Sequence, residues 1–373
     1  MERSRSAILV TSPAGQLTCA ELARQAAADE RPRKDYVELA SRLDADVIDS
    51  HWMSEKAYPV ARAVSARIGM PAGQVLEAFL RRGRYRHVLA WADRLGLPLA
   101  LLLKLTRSKQ DLALISVWLS RNKKAVFLRQ FKVATHISAI IGQSAQADIA
   151  VTRLGVAASK LYAEPWPVDD RFWRPSAPSS QRLIAAAGLE ARDYRSLLKA
   201  VRGLDAELEM AVGSIALPEM AGEGGEVHRE IAEIHAEGLP PNAHAAERSS
   251  RQLRELYARS RVVVVPLHDV EFDAGVTAAT EAMSTGKPVI ATRTRGLRDL
   301  FVHGEQGLYV PPHDPRALRE AIVHLLESPA EAQRMGRAAR ALVERRHRLD
   351  PCLDRLAAIV RGDATPRPAE GRP

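Results

Sequence analysis

Short apolar runs alternate along the first half of the chain with segments in which apolar residues recur every three to four positions. The short runs predict buried strands, and the longer periodic segments predict helices. This alternation is typical of parallel βαβ units, in which a helix joins each strand to the next. The predicted strands are Ala7–Thr11, Asp46–Ile48, His87–Ala90, Leu112–Val117, Ala139–Gly142 and Lys160–Ala163, and the predicted helices lie near residues 18–28, 35–43, 56–68, 73–82, 98–106, 122–134 and 146–153.

The second half repeats the alternation after a stretch at residues 166–178 that is rich in proline and polar residues. Such a composition predicts a linker, and we place the domain boundary near residue 175. The predicted strands are Leu183–Ala187, Leu208–Val212, Val262–Val265 and Val289–Ala291, and the predicted helices lie near residues 193–202, 226–236, 249–259 and 276–284.

Three late helices have recognisable starts. Asp314–Pro315 supplies an N-cap and a first-turn proline, and Ser328 and Glu331 have the spacing of a capping box. Asp350–Pro351 is expected to open the last helix in the same way.

Length and composition fit a soluble protein with two domains. The chain has 373 residues, of which 46% are hydrophobic and 27% charged, which excludes fibrous and wholly disordered classes. Cys19 and Cys352 are too far apart to suggest a disulfide framework or a zinc cluster. Met1–Ser6 does not resemble a signal peptide, and the longest apolar run, Leu95–Leu103, is shorter than the roughly 20 residues that span a bilayer. We therefore expect a cytoplasmic protein.

The net charge of +9 is concentrated in one segment. Residues 81–132 contain thirteen Lys or Arg and two Asp, a surplus of +11, whereas the rest of the chain sums to −2. Focused positive charge attracts anionic ligands or surfaces. The segment predicts an anionic acceptor or peripheral contact with the inner face of a membrane; the competing explanation is a solvated face that keeps the protein soluble.

The segment from Asp273 to Thr292 carries the strongest chemical signal. Residues 276–284 read as a short helix, because Gly286 suits a left-handed C-terminal cap and Pro288 forbids continuation. The backbone N–H groups at the start of that helix would attract an anion such as a diphosphate. Glu281 lies about one turn, roughly 6 Å, beyond Thr277 and so shares its face.

This pattern resembles the E-x7-E signature of retaining GT-B glycosyltransferases, specifically glycosyltransferase family 4, with Asp273 in place of the first Glu. The resemblance implies that Asp273 contacts hydroxyls of the donor sugar and that Glu281 holds the ribose. It also implies that the amides between them, at Ala274, Gly275, Val276 and Thr277, meet the sugar and phosphate. A helix packed on a strand in any α/β domain would explain Gly286 and Pro288 but not the ordered carboxylates.

The resemblance implies an α/β GT-B fold, with two Rossmann-like parallel-sheet domains that face a central cleft. The predicted parts are an acceptor-binding domain at 1–175, a donor-binding domain at 176–346, a helix at 347–362 that crosses back to the first domain, and a disordered tail at 363–373.

Gly188 and Arg192 match the positions at which related enzymes hold the donor diphosphate, and the resemblance implies a catalytic role for Arg192. Leu189 stands where the family usually has an Arg, so half of that clamp is missing. The competing explanation for Arg192 is a surface helix residue.

Four residues of the first half are acceptor-side candidates. His51 follows a predicted strand and resembles the histidine that many family members aim at the donor sugar; the other three are Gly15, Trp118 and Ser120. Asp44 and Asp46 have the D-x-D spacing of a metal–sugar site, but carboxylates are common in turns before strands. We expect no metal and no cofactor.

These features predict a retaining, metal-independent glycosyltransferase. It would move a sugar from a nucleoside-diphosphate sugar, a UDP-sugar by resemblance, to a hydroxyl of a secondary metabolite or a lipid-linked molecule. The alternative is a nucleotide-sugar-binding partner protein without turnover, for which Leu189 and Asp273 argue. Nucleic-acid binding is disfavoured because the basic segment has few interleaved aromatic residues.

Overall fold

The computed structural model describes residues 5–11, 17–116, 119, 122–142, 149–176, 181–212, 233–234 and 236–366. Their contacts divide the chain into two units. The first unit contains the described residues up to 24 together with 33–165 and 350–366, and the second contains 25–32 and 166–349.

The first unit is built on a six-stranded parallel sheet with the strand order β2-β1-β3-β4-β5-β6. Alternate residues of β3 and β4, such as Val88 and Leu112, belong to a buried core that also contains Leu95 and Leu99 from the following helix. The strands are β1 (Arg5–Leu9), β2 (Ala45–Ile48), β3 (Tyr85–Ala90), β4 (Asp111–Ile115), β5 (Ala139–Gly142) and β6 (Leu161–Ala163).

Helices of the first half lie between these strands, as βαβ connections require. Their bounds are Cys19–Ala27, Asp35–Leu43, Ser50–Glu55, Pro59–Ile68, Met70–Arg81, Asp93–Leu105 and Asn122–Arg129. The last helix of the chain, Leu349–Arg361, also supplies side chains to this unit. Arg42 bonds Asp350 at 2.6 Å and Asp354 at 2.8 Å, and Arg355 bonds Glu164 at 3.0 Å.

The second unit also contains a six-stranded parallel sheet, with the order β12-β11-β10-β7-β8-β9. When the strands are renumbered from 1 to 6 within the unit, this is the Rossmann order 6-5-4-1-2-3. All strands run parallel, but the direction in which successive strands are added to the sheet reverses between β7 and β10. In such sheets ligands bind beyond the carboxyl ends of the strands at that reversal. The strands are β7 (Leu183–Ala187), β8 (Glu207–Ala211), β9 (Ala243–Ala246), β10 (Val262–Val265), β11 (Val289–Thr292) and β12 (Gly307–Val310).

The helices described in the second unit are Tyr194–Val201, Ser250–Arg259, Val276–Ser284, Pro315–Glu327 and Pro329–Arg346. The third, which we call the signature helix, ends as predicted. Gly286 has a φ of +76°, its N–H bonds the Met283 carbonyl at 3.0 Å, and the Lys287 N–H bonds the Ala282 carbonyl at 3.1 Å. This is the Schellman arrangement, which turns the chain directly into β11.

Several sequence-based expectations were wrong. The helix predicted at 56–68 begins only at Pro59 and follows a separate helix, Ser50–Glu55, because Pro59 holds Tyr58 at a ψ of +145°, outside the helical region. The helix expected at 98–106 already begins at Asp93 and runs through Pro98. The expected capping box is absent: Ser328 makes no side-chain cap, and the Glu331 carboxylate pairs with His324 at 2.9 Å and with an arginine.

Other expectations fall partly or wholly outside the described residues. They are the helices at 146–153 and 226–236 and the tail from residue 367 onward.

The apolar run Leu95–Leu103 belongs to the core of the first unit, with Leu95, Leu97, Leu99 and Leu103 all buried. It therefore does not form an apolar surface beside the basic segment. Within the described part of the chain, every helix is too short or too polar to cross a bilayer.

Candidate functional site

The predicted donor residues lie on two loops at the reversal point of the second sheet. The loop after β7 carries Gly188 and Arg192, and the loop after β10 leads to Asp273 and the signature helix. An isolated antiparallel bridge joins Arg192 to Leu267, so the two loops are held side by side. Sequence positions about 80 residues apart thus meet at the edge where Rossmann-ordered sheets bind ligands.

Two glycines fix the loop after β10. Gly275 has a φ of +81°, and a Cβ there would lie 2.7 Å from Val265. A Cβ on Gly296 would lie 2.1 Å from the Phe272 carbonyl oxygen, so the loop after β11 packs directly on the backbone beside Asp273. Both positions are restricted to glycine by close approach, and both hold Asp273 in place.

Asp273 is buried with an unsatisfied oxygen. Its exposed fraction is 8%, and its Oδ1 has no hydrogen-bond partner among the described residues. Burial raises the pKa of the Asp273 carboxyl to about 8. A buried polar atom without a partner costs free energy until something satisfies it. The geometry therefore suits Asp273 to a hydrogen bond with a ligand hydroxyl.

The start of the signature helix has no side-chain cap. Gly275 occupies the N-cap position, and the first intrahelical bond runs from the Ala279 N–H to the Gly275 carbonyl at 3.0 Å. The N–H groups of the first turn therefore have no intrahelical acceptor, and the helix dipole makes this end attractive to anions. Thr277 is exposed and Glu281 is half-buried one turn later, so both face outward from the packed side of the helix.

Arg192 folds back onto its own loop. It is buried, and its guanidinium donates from Nε to the Ala187 carbonyl at 2.9 Å and from Nη1 to the Glu190 carbonyl at 2.8 Å. Gly188 makes room for it, since a Cβ there would lie 2.3 Å from the guanidinium. Arg192 thus braces the loop after β7, with two of its donors occupied by that loop.

Two buried hydroxyls near the site were missed by sequence reasoning. The hydroxyls of Tyr257 and Thr294 have no hydrogen-bond partner among the described residues. Burial raises the pKa of Tyr257, the charge of Glu281 raises it further, and that of Arg192 opposes the rise. Tyr257 therefore lies near both predicted donor residues. In the sequence it reads only as an apolar position of the helix Ser250–Arg259.

One group of side chains in the described ranges could hold a metal ion: Asp193, His268 and His313, whose ligand atoms all lie within 4.8 Å of one another. The sequence does not suggest this group, because its members are 45 to 120 positions apart along the chain.

The acceptor-side candidates are only partly described. His51 lies in the helix Ser50–Glu55, three residues after the end of β2, and is half-buried. Gly15, Trp118 and Ser120 lie outside the described residues. Of the D-x-D pair, Asp46 lies within β2 and accepts a hydrogen bond from the Tyr85 hydroxyl at 3.0 Å, which gives that carboxylate a structural partner.

A cavity of about 600 Å³ lies at the opposite, amino-terminal edge of the second sheet. It is lined by residues that precede β10 and β11, including Arg261 and Lys287, and by the helix Pro329–Arg346. Burial and the charge of Arg261 lower the pKa of Lys287 to about 8. The cavity contains none of the predicted donor residues, and the topology favours the other edge for the chemistry.

Comparison with known proteins finds similarity to glycosyltransferases in both sequence and fold. Residues 184–342 match the family model described as "Glycosyl transferases group 1". The chain is also 25% identical over 320 residues to an MMP alpha-(1->4)-mannosyltransferase of Mycolicibacterium hassiacum, covering 80% of this chain and 74% of the relative.

Two solved structures match nearly the whole chain. Sucrose-phosphate synthase of Thermosynechococcus elongatus superimposes with a TM-score of 0.72 at 16% identity, covering 96% of this chain and 99% of that one. Anabaena HepE, solved in complex with UDP-glucose, gives a TM-score of 0.68 at 15% identity, with coverage of 96% and 99%. At this identity the likeness shows the fold. The coarser part of the resemblance drawn from the sequence is confirmed, whereas membership of family 4 stays a prediction: the chain is a glycosyltransferase with the GT-B fold, and its residues 184–342 match the group 1 glycosyl transferases.

Proposed function

We propose that the chain transfers a sugar from a UDP-sugar to an acceptor hydroxyl, with retention of configuration and without a metal ion. The observation that carries this proposal is the buried Asp273 carboxyl with its unsatisfied oxygen, placed just before an uncapped helix start that leads to Glu281. A hydroxyl-rich sugar attached to a diphosphate matches both features.

Charge accumulates on the diphosphate as the glycosidic bond breaks, so the transition state needs fixed positive groups. The N–H groups and dipole at the start of the signature helix supply such a field. Glu281, one turn further, then accepts hydrogen bonds from ribose hydroxyls. This division of roles needs no cation.

The donor class is supported by relatives. HepE is solved with UDP, with UDP and glucose, and with UDP-glucose, and we extend that donor type to this chain. The mannosyltransferase relative is named for an α linkage, and an α product from an α-linked nucleotide sugar is retention.

The first experiment screens nucleotide sugars by thermal shift, because a ligand that binds only the folded chain raises its melting temperature. UDP- and GDP-linked hexoses are compared with the free nucleotides. For the donor that binds, transfer is measured by ¹H NMR, which reports the anomeric configuration, in excess EDTA and again with added Mg²⁺ or Mn²⁺. Activity only with a cation, or an inverted product, contradicts the proposal.

A second candidate is a nucleotide-sugar-binding protein without turnover. Two observations favour it. Leu189 stands where related enzymes carry an arginine, and two hydrogen-bond donors of Arg192 already bond carbonyl groups of its own loop. Slow hydrolysis of the bound donor separates the two, because a glycosyltransferase without acceptor transfers sugar to water whereas a binder leaves the donor intact.

The proposed acceptor is an anionic secondary metabolite or lipid-linked molecule, because residues 81–132 carry a surplus of eleven positive charges that attracts anions.

A further inference from the structure

We propose that Asp193, His268 and His313 form a binding site for a divalent transition-metal ion of the zinc type. The three residues come from the loops that follow β7, β10 and β12, at the carboxyl edge of the second sheet. The proposal is separate from the proposed sugar transfer, which needs no metal.

The spacing of the ligand atoms is close to that of a bound ion. The three atoms lie within 4.8 Å of one another, and His313 Nδ1 is 3.1 Å from Asp193 Oδ2. Two ligands held about 2.1 Å from zinc at tetrahedral angles lie roughly 3.4 Å apart. One pair therefore already has nearly this spacing, and the third ligand atom, on His268, lies within 4.8 Å of both.

The ligand types select the class of ion. Two imidazoles and one carboxylate suit Zn²⁺, Co²⁺, Ni²⁺ or Cu²⁺, whereas Mg²⁺ and Ca²⁺ prefer oxygen ligands alone. Three protein ligands leave a coordination position for water or for an anion.

The Asp193 carboxylate is held before any ion arrives. Asp193 begins the helix Tyr194–Val201, and its two oxygens accept bonds from the Ser196 N–H at 3.0 Å and the Ser196 hydroxyl at 2.7 Å. The His268 N–H bonds the Ala191 carbonyl at 2.9 Å, which places His268 beside the same loop. The two bonds from Ser196 orient the Asp193 carboxylate, and outer hydrogen bonds of this kind strengthen metal binding.

His313 is exposed and has a φ of +54°, a left-handed conformation that glycine adopts more easily. Its ring lies 5.4 Å from that of His268, centroid to centroid. The competing explanation is a plain hydrogen bond between His313 and Asp193 that serves only to join two loops. The two explanations differ in whether an ion binds.

The test uses the full chain, stripped with EDTA and exchanged into metal-free buffer without nucleotide sugar. Zn²⁺ is titrated by calorimetry, and Co²⁺ is added to observe the visible absorption of a cobalt site. We expect one ion per chain. His313→Ala and His268→Ala should each weaken binding at least tenfold and remove the cobalt spectrum. His324→Ala, a surface histidine paired with Glu331, is the matched control and should bind like the parent.

Asp193→Asn is the second variant, because asparagine retains the helix cap while losing the charged ligand. It should also weaken Zn²⁺ binding, with a circular dichroism spectrum like that of the parent. Failure of the parent to bind Zn²⁺ or Co²⁺, or equal binding by the parent and the His268 and His313 variants, overturns the proposal. Because no donor is present, either result leaves the proposed transfer reaction to be judged by its own assay.

Discussion

Replacement of Asp273 by Asn should remove a pH dependence from the stability of the second unit. In the folded chain burial raises the pKa of the Asp273 carboxyl to about 8, from 3.8 in its ordinary state. Below pH 3.8 both states are protonated and the group has no effect on stability. As the pH rises, the unfolded carboxyl ionises first, so the free energy of unfolding falls until the folded carboxyl also ionises near pH 8.

The size of the effect follows from the shift. One pKa unit corresponds to about 1.4 kcal/mol, so a shift from 3.8 to about 8 lowers the free energy of unfolding by about 4 kcal/mol at pH 7. Between pH 5 and pH 8 the fall is about 3.5 kcal/mol. These values are upper bounds, because a small opening of the loop would let water reach the carboxylate.

The assay is urea unfolding of the parent and Asp273→Asn from pH 5 to pH 8 at constant ionic strength. The buried amide has its own cost, but that cost does not change with pH, so only the change in the difference between the two proteins is interpreted. Asp205→Asn is the control, since the Asp205 side chain is fully exposed, and its curve should parallel that of the parent. Parallel curves for parent and Asp273→Asn would refute the burial argument.

Three further predictions concern other parts of the molecule. Glu281→Ala should lower nucleotide-sugar affinity by about 1.5 to 3 kcal/mol in calorimetry, through loss of a charged hydrogen-bond acceptor, and unchanged affinity excludes the ribose role. Gly296→Ala places a Cβ 2.1 Å from the Phe272 carbonyl and should lower the melting temperature and weaken donor binding together, whereas Gly83→Ala, which meets nothing within 4 Å, should do neither. Through residues 81–132 the protein should bind anionic but not neutral vesicles at low salt, with about 1 kcal/mol contributed by each Lys or Arg that reaches the surface. Equal co-sedimentation with both lipids would reject membrane contact, and the segment would then be a solvated basic face.

Strand positions could be predicted where the strand is buried on both faces. Val262–Val265 and Leu183–Ala187 are continuous apolar runs with the observed bounds, because central parallel strands exclude polar residues. The edge strands β9 and β12 were missed, since β9 contains the exposed His244 and β12 begins with Gly307. Edge position alone does not hide a strand, because β2 and β6, the edge strands of the first sheet, were both predicted.

Some parts of the candidate site could be predicted from the sequence and others could not. Asp273 and Glu281 could be proposed as a pair because they lie eight positions apart in one short segment that leads into the helix Val276–Ser284. The inward fold of Arg192 could not, because it depends on carbonyl groups that only the folded loop brings together. His268 and His313 are 45 positions apart, and only the order of β10, β11 and β12 in the sheet places them side by side.

The membership of the last helix in the first unit bears on the order in which the protein can fold. Arg42 bonds Asp350, which lies 308 positions later in the chain. The first unit is therefore completed only by a helix that is synthesised after the second unit. Residues 166–349 separate the two parts of the unit, and at 5–20 residues per second their synthesis takes roughly 10 to 40 s. During that interval the surface that receives the helix has no partner from its own chain, whereas most of the second unit is already continuous. On the ribosome, the second unit therefore has the opportunity to fold before the first is complete.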